Sequence, residues 1–220
     1  MIPWRVKNYL STKFPLAYHI AVNAGLKGNS QAHWDAILAE SWDDPSRAWP
    51  TKVEMLRART RSTDCILDIA CGTGSILRAL LAAGYRDLHA LELSGYAVRR
   101  LTEAGIEARQ GKLPRINYPD RTFDAVIASQ VLEHIIRRSI FARELARVLK
   151  PGGRGFIFVP DRCLPPLDTP EHVIVYDPAS LERFLGKHFR SVRVEQMRDA
   201  NHGMPILFAE VRTDGALVSS

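Results

Sequence analysis

The chain has 220 residues, of which 46% are hydrophobic and 25% are charged. These values fit one globular domain with a sizeable core, and they exclude a disordered or fibrous protein. The net charge of +6 keeps nucleic acid among the candidate partners, although the basic residues are scattered at helical spacing and most of them predict solvated helix faces. No apolar run reaches membrane-spanning length, and the three cysteines show neither paired nor metal-type spacing. Both observations predict a cytoplasmic protein with reduced thiols and no membrane span.

The first sixty residues are predicted to be helical. An apolar stripe through residues 16–24 indicates a first helix. Ser30 is a candidate cap for a second helix over 33–42, and Pro50 is suited to begin a third. We expect residues 1–60 to form a helical extension that covers the domain as a lid and walls an acceptor site. The alternative is that these helices pack on one another without contacting any ligand.

From residue 64 onward, short apolar strands alternate with amphipathic helices, which predicts a mainly parallel, doubly wound sheet. A final pair of alternating segments, 189–196 and 205–212, predicts a hairpin around 201–203. We assign residues 61–213 to this domain and residues 214–220 to a tail, in one compact unit. The predicted strands are 65–70, 88–93, 106–110, 123–128 and 154–160, and the predicted helices are 75–83, 95–104, 138–149 and one that Pro178 opens, 179–185.

The stretch from Ile66 to Gly74, ILDIACGTG, carries the strongest chemical signal. It predicts a buried strand, a glycine-rich turn and a helix N-terminus, which together suit a nucleotide-like ligand. The third glycine of the dinucleotide fingerprint is replaced by Leu77, which would obstruct the packing of helix on strand under a pyrophosphate. Asp68 lies before the turn, where a carboxylate suits a cationic or amino-bearing ligand better than a pyrophosphate.

Five segments in the right order resemble the class I S-adenosylmethionine (SAM)-dependent methyltransferases. The resemblance implies a Rossmann-like, doubly wound and mainly parallel sheet of seven strands, with an antiparallel C-terminal hairpin strand and an N-terminal helical lid. It also implies SAM as the methyl donor and S-adenosyl-L-homocysteine as the product. The segments are 66–74, 88–94, 111–124, 125–134 with its Leu-Glu-His end, and 145–153.

The same resemblance implies a set of cofactor-binding residues. Glu92, about twenty residues beyond Gly72, is expected to bind the ribose hydroxyls, and the glycine turn is expected to hold the methionine part of SAM. Lys112 departs from the family, which commonly has an acid here; an ammonium group only donates, so adenine recognition is predicted to fall to the region of Leu113. The full set is Asp68, Ala70, Cys71, Gly72, Gly74, Glu92, Leu93, Lys112, Leu113 and Gln130.

His134 follows the fourth strand and is the best candidate for a general base, because imidazole titrates near neutrality. A purely structural histidine is the alternative. No metal is predicted, since the seven histidines form no close pair in the sequence. The lesser candidates for the acceptor side are Glu133, Asp161, His172, Tyr18 and His19.

These observations predict transfer of a methyl group from SAM to an oxygen or nitrogen atom of a small molecule of the sugar, quinone or natural-product type. The motifs of amide or adenine N-methyltransferases and of cytosine C5-methyltransferases do not follow the fourth strand, which reads Ala-Ser-Gln-Val. Two alternatives stay open: an RNA methyltransferase, and a SAM-binding partner protein without catalysis. A monomer or a homodimer is expected.

Overall fold

A computed structural model describes residues 30–161, 172 and 174–214, together with Lys13, Phe14 and Ala17. Apart from Ala17, the predicted first helix lies outside the described residues. So do Tyr18, His19, most of the loop after the fifth strand and the tail beyond 214. The division into an extension, a domain and a tail therefore stays a prediction.

Seven strands form one sheet in the order β3-β2-β1-β4-β5-β7-β6. The first five run parallel, whereas β7 is antiparallel to both β5 and β6. This arrangement confirms the predicted fold class, including the C-terminal hairpin. The strands are β1 (Ile66–Ile69), β2 (Leu88–Glu92), β3 (Glu107–Gln110), β4 (Phe123–Ser129), β5 (Leu149–Pro160), β6 (Ser191–Arg198) and β7 (Pro205–Arg212).

Six α-helices and two short 3-10 turns accompany the sheet within the described residues. Ser30 caps the first helix by accepting from the His33 backbone N–H, and Pro50 occupies the first turn of the second helix, as predicted. The helices are α1 (Gln31–Glu40), α2 (Pro50–Arg57), α3 (Ser75–Ala82), α4 (Gly95–Glu103), α5 (Arg138–Val148) and α6 (Pro178–Leu185), and the 3-10 turns are Pro45–Arg47 and Leu132–His134.

The largest departure from the predicted elements lies at β5, which begins at Leu149 rather than at residue 154. Leu149 pairs with Phe123, and a register shift follows between Phe123 and Ala125, so the ladder resumes at Arg154 opposite Ala125. The intervening Pro-Gly-Gly forms an irregularity inside the strand rather than a turn before it, and Gly152 adopts a φ of 77° there.

The core consists of two apolar clusters, one on each face of the sheet. Successive residues of β5 alternate between them: Ile157 belongs to one cluster, and Phe156 and Phe158 belong to the other. Leu38 and Leu56, from α1 and α2, join the second cluster. The two N-terminal helices that the structure describes are therefore part of the packed core.

Hydrogen bonds fix α1 and α2 to opposite sides of the same region. On α1, Asp35 accepts from the Ser94 hydroxyl and from the Tyr96 backbone N–H, just beyond β2. The segment before α2 bonds to the tip of the β6–β7 hairpin, where the Asn201 side chain donates to the Ala48 carbonyl at 3.1 Å and the Ala200 N–H donates to Thr51 Oγ1 at 3.0 Å. Both helices are thereby anchored over the carboxyl ends of the strands.

Among the described residues, no helix has the length and apolar character needed to cross a membrane.

Candidate active site

A cavity of about 370 Å³ opens at the carboxyl ends of β1, β2 and β4. This is the position expected for a ligand in an open parallel sheet, beside the switch in strand order between β1 and β4. The structure brings ten of the eleven predicted site residues to its wall: Asp68, Ala70, Cys71, Gly72, Glu92, Leu93, Lys112, Leu113, Gln130 and His134.

The exception is Gly74, which does not line the cavity. It occupies the N-cap position of α3 with a φ of 65°, and a Cβ added there would overlap Leu101 Cδ2 on α4. The glycine requirement at this position therefore comes from the left-handed backbone and from the close approach of two helices. Its contribution to the site is the shape of the turn.

Glu92 is buried, and its carboxylate braces the glycine turn. Oε2 accepts from the Gly72 N–H at 2.9 Å, while Oε1 accepts from the N–H groups of Leu93 at 2.7 Å and Ser94 at 3.0 Å. Burial raises the pKa of Glu92, and the three amide donors oppose that shift. Because a carboxylate offers about four lone-pair sites, roughly one remains, on Oε2, to accept from a ligand hydroxyl.

Asp68 lies at the floor of the cavity and is only 2% exposed. Its Oδ1 has no hydrogen-bond partner among the residues that the structure describes. Burial, with the nearby Glu92 charge second, raises its pKa to about 8, although Lys52 acts in the opposite direction. A buried, unsatisfied carboxyl of this kind is complementary to a cationic group of a ligand.

Gln130 follows β4 directly and adopts a φ of 57°, which is uncommon for a residue other than glycine. This backbone lies at the edge of the cavity, and the Gln130 Nε2 is buried without an acceptor in the described part of the chain. Strained backbone of this kind is concentrated at functional sites. An unsatisfied donor at the cavity wall is complementary to an anionic or carbonyl oxygen of a ligand.

Lys112 is exposed at the rim, whereas Leu113 is half-buried and packs against the core. Their loop is held from behind by Arg147, which donates to the carbonyls of Ile116 at 2.7 Å and Tyr118 at 2.9 Å. The apolar Leu113 thus has a fixed position in the wall.

Lys52 is the most important residue that the sequence reasoning missed. It is fully buried under the cavity, donates to Ser129 Oγ at 2.9 Å, and has its Nζ 3.2 Å from the centroid of the Trp49 ring. Burial lowers its pKa to about 7, against the opposing charges of Asp199, Glu133 and Asp68. One sequence signal was present: Lys52 precedes Leu56 by one helical turn and therefore shares its buried face.

Aromatic rings line part of the cavity wall. Trp34 on α1 meets His134 edge to face, with ring centroids 6.5 Å apart, and Trp49 also lines the wall. His134 in turn contacts His172, with centroids 4.8 Å apart. The N-terminal helices therefore supply part of this wall, as the lid hypothesis requires.

Two clusters of described residues bring potential metal donors within 4.8 Å of one another: Cys65 with Asp87 and His89, and Glu133 with His134 and His172. The first is poorly suited to a metal, because burial raises the pKa of Cys65 to about 12 and His89 Nε2 already lies 2.7 Å from Asp87. The second lies beside the cavity.

Comparison with known proteins agrees with this geometry. Residues 67–157 match the family model described as a methyltransferase domain. Residues 67–157 therefore form a methyltransferase domain of the class I SAM-dependent family, as the sequence motifs predicted.

Individual relatives cover the chain only in part. The 27-O-demethylrifamycin SV methyltransferase of Amycolatopsis mediterranei is 30% identical over 54% of this chain and 50% of its own length. The probable tRNA methyltransferase 9B of Homo sapiens is 32% identical over 53% of this chain and 26% of its own length. The chain thus spans half or less of these relatives. A Haloferax volcanii putative methyltransferase, solved with the Trm112 activator, is similar in fold, with a TM-score of 0.68, 17% identity, and coverage of 84% of this chain and 98% of that one.

Proposed function

We propose that this chain transfers a methyl group from SAM to an oxygen or nitrogen atom of a small-molecule acceptor. One observation carries the proposal: the cavity wall holds a buried, unsatisfied carboxyl oxygen of Asp68 and a buried, unsatisfied amide nitrogen of Gln130. The amino-acid end of SAM carries an ammonium and a carboxylate group. These two side chains offer the acceptor and the donor that such an end requires.

Other residues of the cavity wall are suited to the ribose and adenine parts of SAM. The remaining lone-pair site on Glu92 Oε2 is suited to a ribose hydroxyl, and Leu113 offers an apolar surface to the adenine ring. Gly72 has a φ of 58° and lies in the wall, so the backbone of the turn can approach the ligand closely. The bound cofactor supplies an activated methyl group on a sulfonium.

The protein's own residues would orient the two reactants and handle one proton. Holding an acceptor atom in line with the methyl carbon supplies much of the acceleration. His134, in the aromatic wall, is placed to accept a proton from an acceptor hydroxyl or ammonium group. His134→Gln is accordingly expected to lower turnover while leaving SAM affinity nearly unchanged.

The cofactor assignment is tested by thermal unfolding with SAM, S-adenosyl-L-homocysteine or NAD. A ligand that binds only the folded chain at 100 times its Kd stabilises it by about 2.7 kcal/mol. We expect SAM and its demethylated product to raise the melting temperature and NAD to leave it unchanged. Asp68→Asn should reduce the shift caused by SAM. Equal shifts by NAD and SAM would contradict the assignment.

A small acceptor is supported by the aromatic part of the wall. Trp34 contacts His134 there and Trp49 also lines the cavity, which suits an apolar small molecule. The rifamycin relative is named for a small-molecule acceptor. Mass spectrometry of compounds that co-purify with the protein, followed by methyl-transfer assays on each, would identify the acceptor.

An RNA acceptor is the second candidate, favoured by the net charge of +6 and by the human relative named as a probable tRNA methyltransferase. RNA binding would weaken steeply with added salt, because contacts to phosphates release counterions. Salt-insensitive methylation of a small acceptor would remove this candidate. Tight SAM binding without transfer to any acceptor would instead favour a non-catalytic SAM-binding partner.

A further inference from the structure

The carboxylate of Glu133, one of the lesser acceptor-side candidates, is buried and does not line the cavity. Glu133 is 1% exposed, and neither of its oxygens has a hydrogen-bond partner among the described residues. Leaving a buried carboxyl without partners is costly, so both oxygens call for a ligand, a counter-charge or a proton. Lys52 is the opposing charge that acts on it, but the Lys52 ammonium donates to Ser129.

The backbone brings two imidazoles to this carboxyl. Glu133 and His134 share the 3-10 turn Leu132–His134. Across from them, the Ile174 N–H donates to the Glu133 carbonyl at 3.2 Å, which ties the segment after His172 to the same turn. The position of that segment is also fixed by Tyr176, which is buried and bridges to Asp161 at the end of β5. His172 thereby reaches His134 although 37 positions separate them along the chain.

We propose that Glu133, His134 and His172 form a binding site for a divalent transition metal ion of the zinc class. One donor atom from each residue lies within 4.8 Å of the other two. Two imidazole nitrogens and one carboxylate oxygen are a donor set that Zn²⁺ and neighbouring first-row ions prefer, at about 2.0–2.2 Å from the ion.

An ion at this location could activate the methyl acceptor, and this role rests on the proposed methyl transfer. Three protein ligands leave at least one coordination position open. His134 lines the cavity, so an acceptor hydroxyl could occupy that position. Coordination lowers the pKa of the hydroxyl, its proton leaves to solvent, and the oxygen attacks the methyl carbon as the carbon–sulfur bond breaks. The acceptor class would then be a hydroxyl compound, and the ion would take the place of a histidine base.

The first experiment measures metal binding alone. Tag-free protein is titrated with Zn²⁺ by calorimetry and with Co²⁺ by visible absorption, which reports coordination by protein ligands. We expect one site, with Glu133→Gln and His172→Gln each weakening binding by at least roughly 10–100-fold. His89→Gln is the matched control, because it removes a histidine from the other donor cluster and should leave the affinity unchanged.

The outcomes separate the site from the methyl-transfer function. SAM binding and thermal unfolding of each variant show whether it has folded. Absence of Co²⁺ binding in the folded wild-type chain, or binding that survives both substitutions, would overturn the metal site while leaving the proposed methyltransferase intact. Saturable binding lost in Glu133→Gln and His172→Gln would establish the site even if no acceptor were methylated. Methyl transfer that is abolished by chelation and restored by Zn²⁺ would support the role of the ion.

Discussion

Replacing Lys52 with methionine tests how much the burial of the Lys52 charge costs in stability. Lys52 is fully buried, and burial lowers the pKa of its ammonium from 10.5 to about 7. Methionine has a similar length and no charge, so it fills the same space between Trp49 and Ser129. The substitution removes the titration of Lys52 from the folded state and from the unfolded state alike.

The sign of the pH effect follows from the lowered pKa. The folded chain loses the Lys52 proton near pH 7, whereas the unfolded chain keeps it until its ordinary pKa. The cost of burying the charge is therefore fully present below about pH 7 and is relieved as the pH rises toward 10.5. Integrated from about pH 7 to about pH 9, this relief stabilises the wild type by about 2 kcal/mol relative to Lys52→Met.

Two buried acids near Lys52 titrate in the same range, with pKa values of about 8 for both Asp68 and Glu133. Each acid lowers the stability of the fold between its ordinary pKa and its raised folded pKa, because over that range the unfolded chain has lost a proton that the folded chain keeps. Without the Lys52 charge both pKa values rise further, so the variant continues to lose stability to a higher pH. The two acids therefore act in the same direction as Lys52 itself: they increase the free energy of unfolding of the wild type relative to that of Lys52→Met as the pH rises.

The assay is urea unfolding of both proteins at a series of pH values from about 6 to about 9. We expect the wild-type free energy of unfolding to increase relative to that of Lys52→Met by about 2 kcal/mol across the upper part of this range. Lys187→Met, at an exposed position after α6, should show no such trend. A difference between wild type and Lys52→Met that stays constant with pH would refute the reasoning.

Three further substitutions test the cofactor side of the site. Glu92→Gln places an amide donor against a backbone N–H and should cost about 1–3 kcal/mol of stability, with weaker SAM binding by calorimetry; unchanged values for both would remove its bracing role. Gly74→Ala should unfold more easily than Gly203→Ala by about 1–3 kcal/mol, because both glycines have φ near 65° but only the first meets Leu101; equal losses would contradict the packing argument. Arg147→Met should lower stability by about 1–2 kcal/mol by freeing two loop carbonyls, measured by thermal unfolding, and an unaltered transition would exclude that contribution.

The parallel part of the sheet was predictable because local patterns determine it. Continuous apolar strands and amphipathic helices alternate with short turns, and right-handed connections then leave few topologies. The departure at β5 was not predictable in the same way. Pro151 and the following glycines resemble a turn by local preference, yet pairing of Leu149 with Phe123 keeps this segment in the sheet. A contact between distant residues decided that boundary.

The candidate site also combines features that the sequence predicts with features that it does not. Asp68 lies near the end of β1, Glu92 ends β2 and Gln130 follows β4. These strands belong to a recognisable pattern, so the convergence of the three residues on one edge of the sheet could be predicted. The groups that the polar atoms of these side chains bind could not be predicted. Glu92 was expected to offer both oxygens to a ribose, but three backbone N–H groups use most of its capacity. Hydrogen bonds from backbone N–H groups cannot be recognised from the identity of the residues that donate them.

Lys52 shows why the N-terminal helices belong to the chemistry of the site. A lysine on a short helix ordinarily predicts a solvated face, but Lys52 shares the buried face of Leu56, and the hairpin tip anchors the segment before this helix at Ala48. Once buried, its ammonium bonds to Ser129 and opposes the charges of Asp68 and Glu133. Asp68 lines the cavity at the part proposed for the methionine end of SAM, and Glu133 adjoins His134, the residue proposed to act on the acceptor. Protonation of one lysine therefore affects both acids, and any ligand that ionises either one changes the charge felt by the other.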